Sequence, residues 1–306
     1  MCVVGFDTSN YTTSVAYYDG REGENVSQLL PVRQGELGLR QSDAVFAHIK
    51  SLPALSGRLF SHFPGNIKAV GVSTRPRAVE GSYMPCFMVG YSHASMLSQA
   101  LKVPLIEVSH QQGHVAAALW SAGRLDLMDK PHLAWHLSGG TTELLLVEPE
   151  GKNVRCTRIG GTTDISAGQL IDRTAQLLLL PFPGGKHLDA IAEKAKNTDV
   201  FRVKCLETEF SLSGVQNKVQ QYYDLTADSV ETAAYALRCV CYAVQKATEN
   251  ALKAHPGLEV VFSGGVASNR MLREQMQPMG AIFAQPQYST DNAMGVAILT
   301  HRLQEE

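Results

Sequence analysis

The chain opens with Cys2-Val3-Val4-Gly5-Phe6-Asp7-Thr8-Ser9-Asn10-Tyr11-Thr12-Thr13-Ser14-Val15-Ala16-Tyr17-Tyr18. An apolar run, a small polar turn and a β-branched, aromatic run predict a strand, a turn and a second strand. The same arrangement returns in His132-Leu133-Ala134-Trp135-His136-Leu137-Ser138-Gly139-Gly140-Thr141-Thr142-Glu143-Leu144-Leu145-Leu146-Val147. We interpret the repeat as an internal duplication in which one copy opens each of two lobes.

Chain length supports the same organisation, because 306 residues exceed an average single core. With 44% hydrophobic and 18% charged residues, the composition is that of an ordinary globular protein. We predict an N-terminal lobe over 1–108 and a C-terminal lobe over 109–306. The last helix, about 291–303, is expected to pack back on the N-terminal lobe.

Charge and cysteine usage limit the possible function classes. A net charge of −2 argues against a protein that grips nucleic acid unaided. Six cysteines without a C-x-x-C pair indicate reduced thiols in a reducing compartment. No signal-peptide pattern and no membrane-length apolar run are evident, so we expect a cytoplasmic protein with no membrane contact.

Regular elements follow from the spacing of apolar residues along the chain. A period near 3.6 predicts helices over 41–59, 89–102, 166–180, 187–197 and 228–254. Short apolar runs predict buried strands over 67–73, 103–108, 259–262 and 281–284.

Two histidines stand out in the stretch Val108–Leu119, where His110 and His114 are four residues apart. On a helix they project from one face and can hold a transition metal jointly if a third ligand arrives from elsewhere. An isolated H-x-x-x-H is more often a surface coincidence. Asp291 is a candidate third ligand, although its position at a helix start also suits an N-cap.

Glycine-rich turns form a second group of candidates. The turn 138–142 can cradle a phosphate or close a tight hairpin, and its residues suit both equally well. Ser263–Gly265 follows a buried strand and precedes a helix, which together with Asn269 predicts a nucleoside pocket between the lobes. Asp172 could pair with Arg173 or with solvent, or it could accept hydrogen bonds from ribose hydroxyls.

Seven motifs spread over nearly the whole chain resemble those of the TsaD family of threonylcarbamoyl transferases, formerly described as O-sialoglycoprotein endopeptidases. They are Phe6–Ser9, Val108–His114, Leu137–Gly140, Pro183–Gly185, Phe210–Gly214, Ser263–Arg270 and Ser289–Ala293. The resemblance implies an α/β protein with the two-lobed actin-like, sugar-kinase-like (ASKHA) fold. Its duplicated RNase H-like domains would place the site in the interlobe cleft.

The resemblance also implies site residues. One divalent metal, with iron favoured over zinc, would be held by His110, His114 and Asp291. The substrate or nucleotide would contact His136, Leu137, Ser138, Gly139, Gly140, Asp172, Gly185 and Asn269. No side chain is assigned as a catalytic acid or base, because positioning should matter more for a poorly nucleophilic amine than a strong base.

The implied reaction moves L-threonylcarbamoyl from threonylcarbamoyl-adenylate to the exocyclic amine of the adenosine next to the tRNA anticodon. The expected ligands are threonylcarbamoyl-adenylate or ATP/AMP, and tRNA bound with help from partner proteins. We expect a homodimer or a heterodimer with a related family protein.

At several motif positions this chain has a residue different from the usual one of the family. These residues are Tyr11, Thr12, Thr141, Ile165, Gln169 and Lys186. The replacements identify the chain as a divergent paralogue. The alternative to an enzyme is a non-catalytic nucleotide-binding paralogue that pairs with and regulates another family member. A small-molecule kinase has less support, since no sugar-kinase phosphate loop is visible. An endopeptidase has little support, since the metalloprotease motif H-E-x-x-H is missing from the sequence.

Overall fold

The computed structural model describes residues 1–9, 11–31, 39–63 and 65–304; Asn10 of the opening stretch lies outside them. The strands in these ranges are β1 Cys2–Asp7, β2 Thr12–Tyr18, β3 Gly23–Leu29, β4 Ile67–Arg75, β5 Leu105–Ser109, β6 His132–Leu137, β7 Thr142–Glu150, β8 Asn153–Thr162, β9 Cys205–Leu206, β10 Glu209–Phe210, β11 Val260–Ser263 and β12 Ile282–Phe283. The helices are α1 Gln41–Phe60, α2 Phe87–Leu101, α3 His110–Ser121, α4 Ala167–Leu177, α5 Gly185–Ala192, α6 Ser213–Thr226, α7 Ser229–Ala254, α8 Arg270–Met276 and α9 Met294–Gln304.

The first compact unit comprises Met1–Lys130, Glu148–Cys156 and Thr290–Glu306. Its sheet has the order β3-β2-β1-β4-β5, with β1 antiparallel to β2 and parallel to β4. Apolar side chains of β1, β2 and β4 share one core with α1 and α2. Helix α9 also packs on β1 and β4.

The second compact unit comprises Pro131–Val147 and Thr157–Ser289. Its sheet has the order β12-β11-β6-β7-β8-β10-β9, with β6 antiparallel to β7 and parallel to β11. The pairings around β6 therefore repeat those around β1, as a duplicated unit requires. Helices α4, α5, α6 and α7 pack into its core, where Trp135 donates from Nε1 to Thr248 Oγ1 at 2.9 Å.

The compact units do not divide at residue 108. Helix α3 belongs to the first unit, as do the hairpin residues 148–156. The physical reason is backbone packing between α3 and α9, because a Cβ on Gly295 would overlap the carbonyl oxygen of Gly113. Two helices that approach so closely form one structural unit.

The five predicted helices are present, but α5 differs in extent. It begins at Gly185 and ends at Ala192 instead of spanning 187–197. The buried Glu231 carboxylate accepts from Lys196 N at 2.7 Å and from Asn197 N at 3.2 Å. Those amides are therefore unavailable to an intrahelical ladder.

Helix α6 was not predicted, because few of its side chains are apolar and only Val215 and Val219 are buried. Its start depends on Asp164, whose carboxylate accepts from Leu212 N at 2.8 Å and Ser213 N at 3.3 Å. Because the capping residue lies 48 residues earlier in the chain, the sequence around the start of α6 contains no capping signal. In the described part of the chain, no helix combines the length and apolarity needed to cross a bilayer.

Candidate functional site

The start of α3 places both candidate histidines. Ser109 forms a capping box, because its Oγ accepts from Gln112 N at 3.2 Å and Gln112 Oε1 accepts from Ser109 N at 2.9 Å. Gln112 also donates to Val154 O at 2.8 Å. His110 is consequently the first residue of α3, and His114 lies one turn later on the same face.

Asp291 reaches the histidines just before α9 begins. The cap role that the sequence allowed for Asp291 is taken by Asn292, whose Oδ1 accepts from Met294 N at 3.1 Å. The close contact of Gly295 with Gly113 brings this end of α9 against α3. The Asp291 carboxylate is thereby left to face His110 and His114.

Three ligand atoms converge at this point of the first unit. The Nε2 atoms of His110 and His114 are 2.9 Å apart, and Asp291 Oδ1 lies 3.5 Å and 3.2 Å from them, respectively. Ligand atoms that share one ion at about 2.1 Å are separated by roughly 3.0–3.4 Å at octahedral or tetrahedral angles. Two imidazoles and one carboxylate with this spacing fit a divalent transition metal.

A fourth side chain, Asp7, orients the site from the end of β1. Its buried Oδ2 lies 2.7 Å from His110 Nδ1, and its Oδ1 accepts from Ser9 N at 2.9 Å. A carboxylate on Nδ1 fixes the tautomer and directs Nε2 at the centre. Asp7 is not among the predicted site residues; the sequence shows it only as a carboxylate at the end of a buried strand.

Charge is distributed unequally over the two histidines. Burial alone lowers the pKa of His110, but the Asp7 and Asp291 carboxylates on its two nitrogens outweigh burial and raise that pKa to about 10. Burial and the neighbouring His110 charge lower the pKa of His114. Burial opposes ionisation of Asp7 and Asp291, yet the imidazoles hold both carboxyl pKa values below their ordinary range.

The Nε2–Nε2 separation of 2.9 Å fits either a hydrogen bond between the rings or a shared cation. Two lone pairs at 2.9 Å repel unless a proton or a cation lies between them. The raised pKa of His110 favours an Nε2–H that donates to the His114 Nε2 lone pair when no ion is bound. A metal ion would displace this proton, so binding should release it.

We expect Asp7→Asn to weaken divalent-metal affinity about 10- to 100-fold while leaving all three ligands in place. The amide accepts more weakly from His110 Nδ1–H and lowers the basicity of the opposite nitrogen. Calorimetric titration with Zn²⁺ or anaerobic Fe²⁺ measures the change. Asp43→Asn, which alters an exposed carboxylate in the first turn of α1, is the matched control. Equal affinities for wild type and Asp7→Asn would contradict the orienting role.

A pocket of about 410 Å³ lies within the second unit. Its walls come from the β6–β7 turn, from α4, from the start of α5 and from the segment between β11 and α8. The lining residues are Gly139, Gly168, Ile171, Asp172, Pro183, Gly185, Lys186, Asp189, Gly265, Val266, Ser268 and Asn269. Four residues implied by the family resemblance are among them: Gly139, Asp172, Gly185 and Asn269.

The wall after β11 depends on glycine. Gly264 has a φ of +92° and lies so close to the Leu137 carbonyl that a Cβ would overlap it. Asn269 then caps α8, with Oδ1 accepting from Leu272 N at 3.0 Å, and donates from Nδ2 to Asp189 Oδ1 at 2.8 Å. Asp189 was not identified from the sequence, because its partner lies 80 residues away.

Asp172 does not pair with its neighbour. Its Oδ1 accepts from Gly184 N at 2.8 Å, whereas Arg173 donates from Nη1 to Gln216 Oε1 at 2.7 Å. Burial raises the pKa of Asp172, and the hydrogen bond from Gly184 lowers it in part. A half-buried carboxylate held by one amide can accept further hydrogen bonds from a ligand in the pocket.

The other implied pocket residues lie nearby but do not line this pocket. Leu137 is fully buried in the core, and His136 lies half-buried on β6. Ser138 N donates to Thr141 O at 2.8 Å and Ser138 Oγ accepts from Thr141 N at 3.1 Å, which closes a tight hairpin turn. Of residues 136–140, only Gly139 reaches the pocket; Gly140 is exposed.

A family model described as TsaD, tRNA N6-adenosine threonylcarbamoyltransferase, matches residues 43–298. The chain belongs to the TsaD family. A relative from Carboxydothermus hydrogenoformans is 31% identical over 312 residues, covering 96% of this chain and 90% of its own length. One from Thermus thermophilus is 33% identical over 317 residues, covering 99% and 93%. Both are named tRNA N6-adenosine threonylcarbamoyltransferase.

Solved structures confirm the fold class of this TsaD-family chain. A ROK family glucokinase from Streptomyces griseus, in complex with glucose and AMPPNP, superposes with a TM-score of 0.55 at 10% identity, over 99% of this chain and all of that one. The likeness, together with the duplicated sheet pairings, shows the two-unit α/β sugar-kinase-like (ASKHA) fold expected from the sequence.

Proposed function

We propose that this TsaD-family protein transfers L-threonylcarbamoyl from threonylcarbamoyl-adenylate to the exocyclic amine of the adenosine next to the tRNA anticodon. The observation that carries the proposal is the convergence of His110, His114 and Asp291 at ligand spacing. Family membership and the names of the relatives support the same reaction.

The proposed cofactor is one divalent ion, iron in preference to zinc, held by His110, His114 and Asp291. When bound, it would supply Lewis-acid polarisation of the donor carbonyl. Asp7 would keep His110 oriented and deprotonated at Nε2 once the ion is in place. Aspartate and imidazole ligands suit either metal.

The proposed role of the second-unit pocket is to hold the adenosine part of the donor. Asp172 would accept from ribose hydroxyls, and Asn269, fixed by Asp189, would present its amide to the nucleoside. Gly139 and Gly185 admit the ligand close to the backbone. Positioning of donor and amine would supply most of the rate increase.

The alternative, a non-catalytic paralogue that regulates another family member, has less support. The replaced family positions do not include the three candidate metal ligands or the pocket residues Asp172, Gly185 and Asn269. A regulatory subunit needs a nucleotide pocket but has no need of an intact triad. We further propose a cytoplasmic protein that forms a dimer and binds tRNA with the help of partner proteins.

The proposed function is tested by incubating the protein, reconstituted anaerobically with Fe²⁺, with threonylcarbamoyl-adenylate, tRNA and the partner proteins. Digestion to nucleosides and mass spectrometry then measure threonylcarbamoyl-adenosine. We expect the modified nucleoside to accumulate with enzyme and time. Its absence under these conditions, together with retained nucleotide binding, would favour the regulatory alternative.

A further inference from the structure

An apolar loop, which we name the lip, follows α4 and consists of residues 179–182. Leu179 is 93% exposed and Phe182 is 76% exposed. The next residue, Pro183, lines the nucleotide pocket, as does Lys186. The lip is therefore continuous with the mouth of that pocket.

Leu179 occupies a backbone conformation that favours glycine. Its φ is +57°, and it follows Leu178, the C-cap of α4, in a Schellman motif where Leu180 N donates to Ala175 O at 2.8 Å. A β-carbon in the left-handed region costs folding free energy. Because the Leu179 side chain is almost fully exposed, its burial within the chain does not offset that free-energy cost.

The exposed ring of Phe182 is equally without an internal role. Among the described residues it has no aromatic partner and no cation above it, in contrast to the stacked pair Phe262 and Phe283. Lys186, four residues later, is exposed and forms no ion pair within the described ranges. An exposed apolar ring and an exposed cation four residues apart, with the pocket residue Pro183 between them in sequence, match an unpaired nucleotide, which presents a base for stacking and a phosphate for pairing.

We propose that the lip binds unpaired nucleotides of the RNA acceptor, with Phe182 stacking on a base, Leu179 packing beside it and Lys186 contacting a phosphate. This inference rests on the proposed function, since the acceptor adenosine lies in a single-stranded anticodon loop. Bases in such loops can be splayed out onto aromatic side chains, whereas duplex bases cannot.

The test measures binding of a fluorescently labelled anticodon stem–loop RNA and of a blunt duplex RNA to the full-length protein in the presence of the same partner proteins as in the transfer assay. We expect Phe182→Ala to raise the Kd for the stem–loop about 5- to 150-fold. Phe182→Tyr keeps an aromatic ring and should bind the stem–loop with the wild-type Kd. Lys186→Gln should reduce the slope of log Kd against log salt by about 0.7. Duplex binding should not change with Phe182→Ala.

Leu179→Gly separates binding from folding. Glycine removes the left-handed strain, so the unfolding midpoint should stay constant or rise while stem–loop affinity falls about fivefold or more. Ala227→Gly is the matched control, because Ala227 also has a positive φ of 48° but ends α6. It should not alter RNA affinity, and neither should Leu225→Ala, which removes a leucine that is 87% exposed on α6.

Unchanged stem–loop affinity in both Leu179→Gly and Phe182→Ala would overturn the inference, as would no RNA binding by the unaltered protein. A lower hydrodynamic mass of these variants at unchanged RNA affinity would assign the lip to a second copy of the chain instead. Failure of the proposed function is distinguishable, because the unaltered protein would then bind the stem–loop but form no modified adenosine.

Discussion

His114→Ala is expected to reduce bound metal from one equivalent to background. It should also lower the rate of threonylcarbamoyl transfer about 1000-fold, because the variant would lack the Lewis acid that polarises the donor carbonyl. Its Nε2 lies 2.9 Å from His110 Nε2 and 3.2 Å from Asp291 Oδ1, so its removal would leave only two of the three proposed ligands. Metal analysis after anaerobic reconstitution and nucleoside quantification measure the two effects. Adenylate binding, which we propose for the pocket of the second unit, should persist.

His62→Ala is the matched control, because it removes an exposed imidazole just beyond α1 and should retain full metal content. His114→Gln keeps more of the buried volume and checks that loss of folding is not the cause. Chelation of the wild type should reproduce the His114→Ala defect, and added Fe²⁺ should rescue only the wild type. One equivalent of metal in folded His114→Ala would remove His114 from the ligand set.

Gly295→Ala is expected to lower the free energy of unfolding by about 3 kcal/mol or more. The same substitution should also abolish metal binding. The added Cβ would overlap the carbonyl oxygen of Gly113, which is backbone and cannot rotate away. Helices α3 and α9 would have to separate, and Asp291 would move from His110 and His114. Denaturant unfolding and metal titration of the same preparation measure both consequences.

Gly57→Ala is the same chemical change, but it is expected to stabilise the protein. Gly57 lies inside α1, and a Cβ there would meet no atom within 4 Å. Alanine should therefore raise the free energy of unfolding by about 0.5–1 kcal/mol through its helix propensity. Equal effects of the two substitutions would show that the α3–α9 contact does not position the site.

Prediction from the sequence succeeded where the signal was local. Helix α7 was predicted over 228–254 and spans Ser229–Ala254, because apolar residues recur along it at core spacing. Strand β3 was not predicted, since Val26 is its only buried residue. Helix α6 was missed for a related reason, because its cap comes from Asp164.

The candidate site divides in the same way. The spacing of His110 and His114 predicts a shared face as soon as α3 is helical, and Ser109 and Gln112 begin that helix through a local capping box. No local pattern identifies the partners of Asp7 and Asp189, since these partners are 103 and 80 residues away, respectively. Contacts of that separation follow from strand order and packing.

By itself, the sequence determined the duplicated strand–turn–strand units, the histidine face of α3 and the glycine turns, because each depends on neighbours within a few residues. Only the tertiary structure showed that Asp291 faces the two imidazoles and does not cap α9. The physical reason is that the backbone contact of Gly295 with Gly113 draws α9 against α3, while Asn292 takes the cap and leaves the Asp291 carboxylate to the imidazoles.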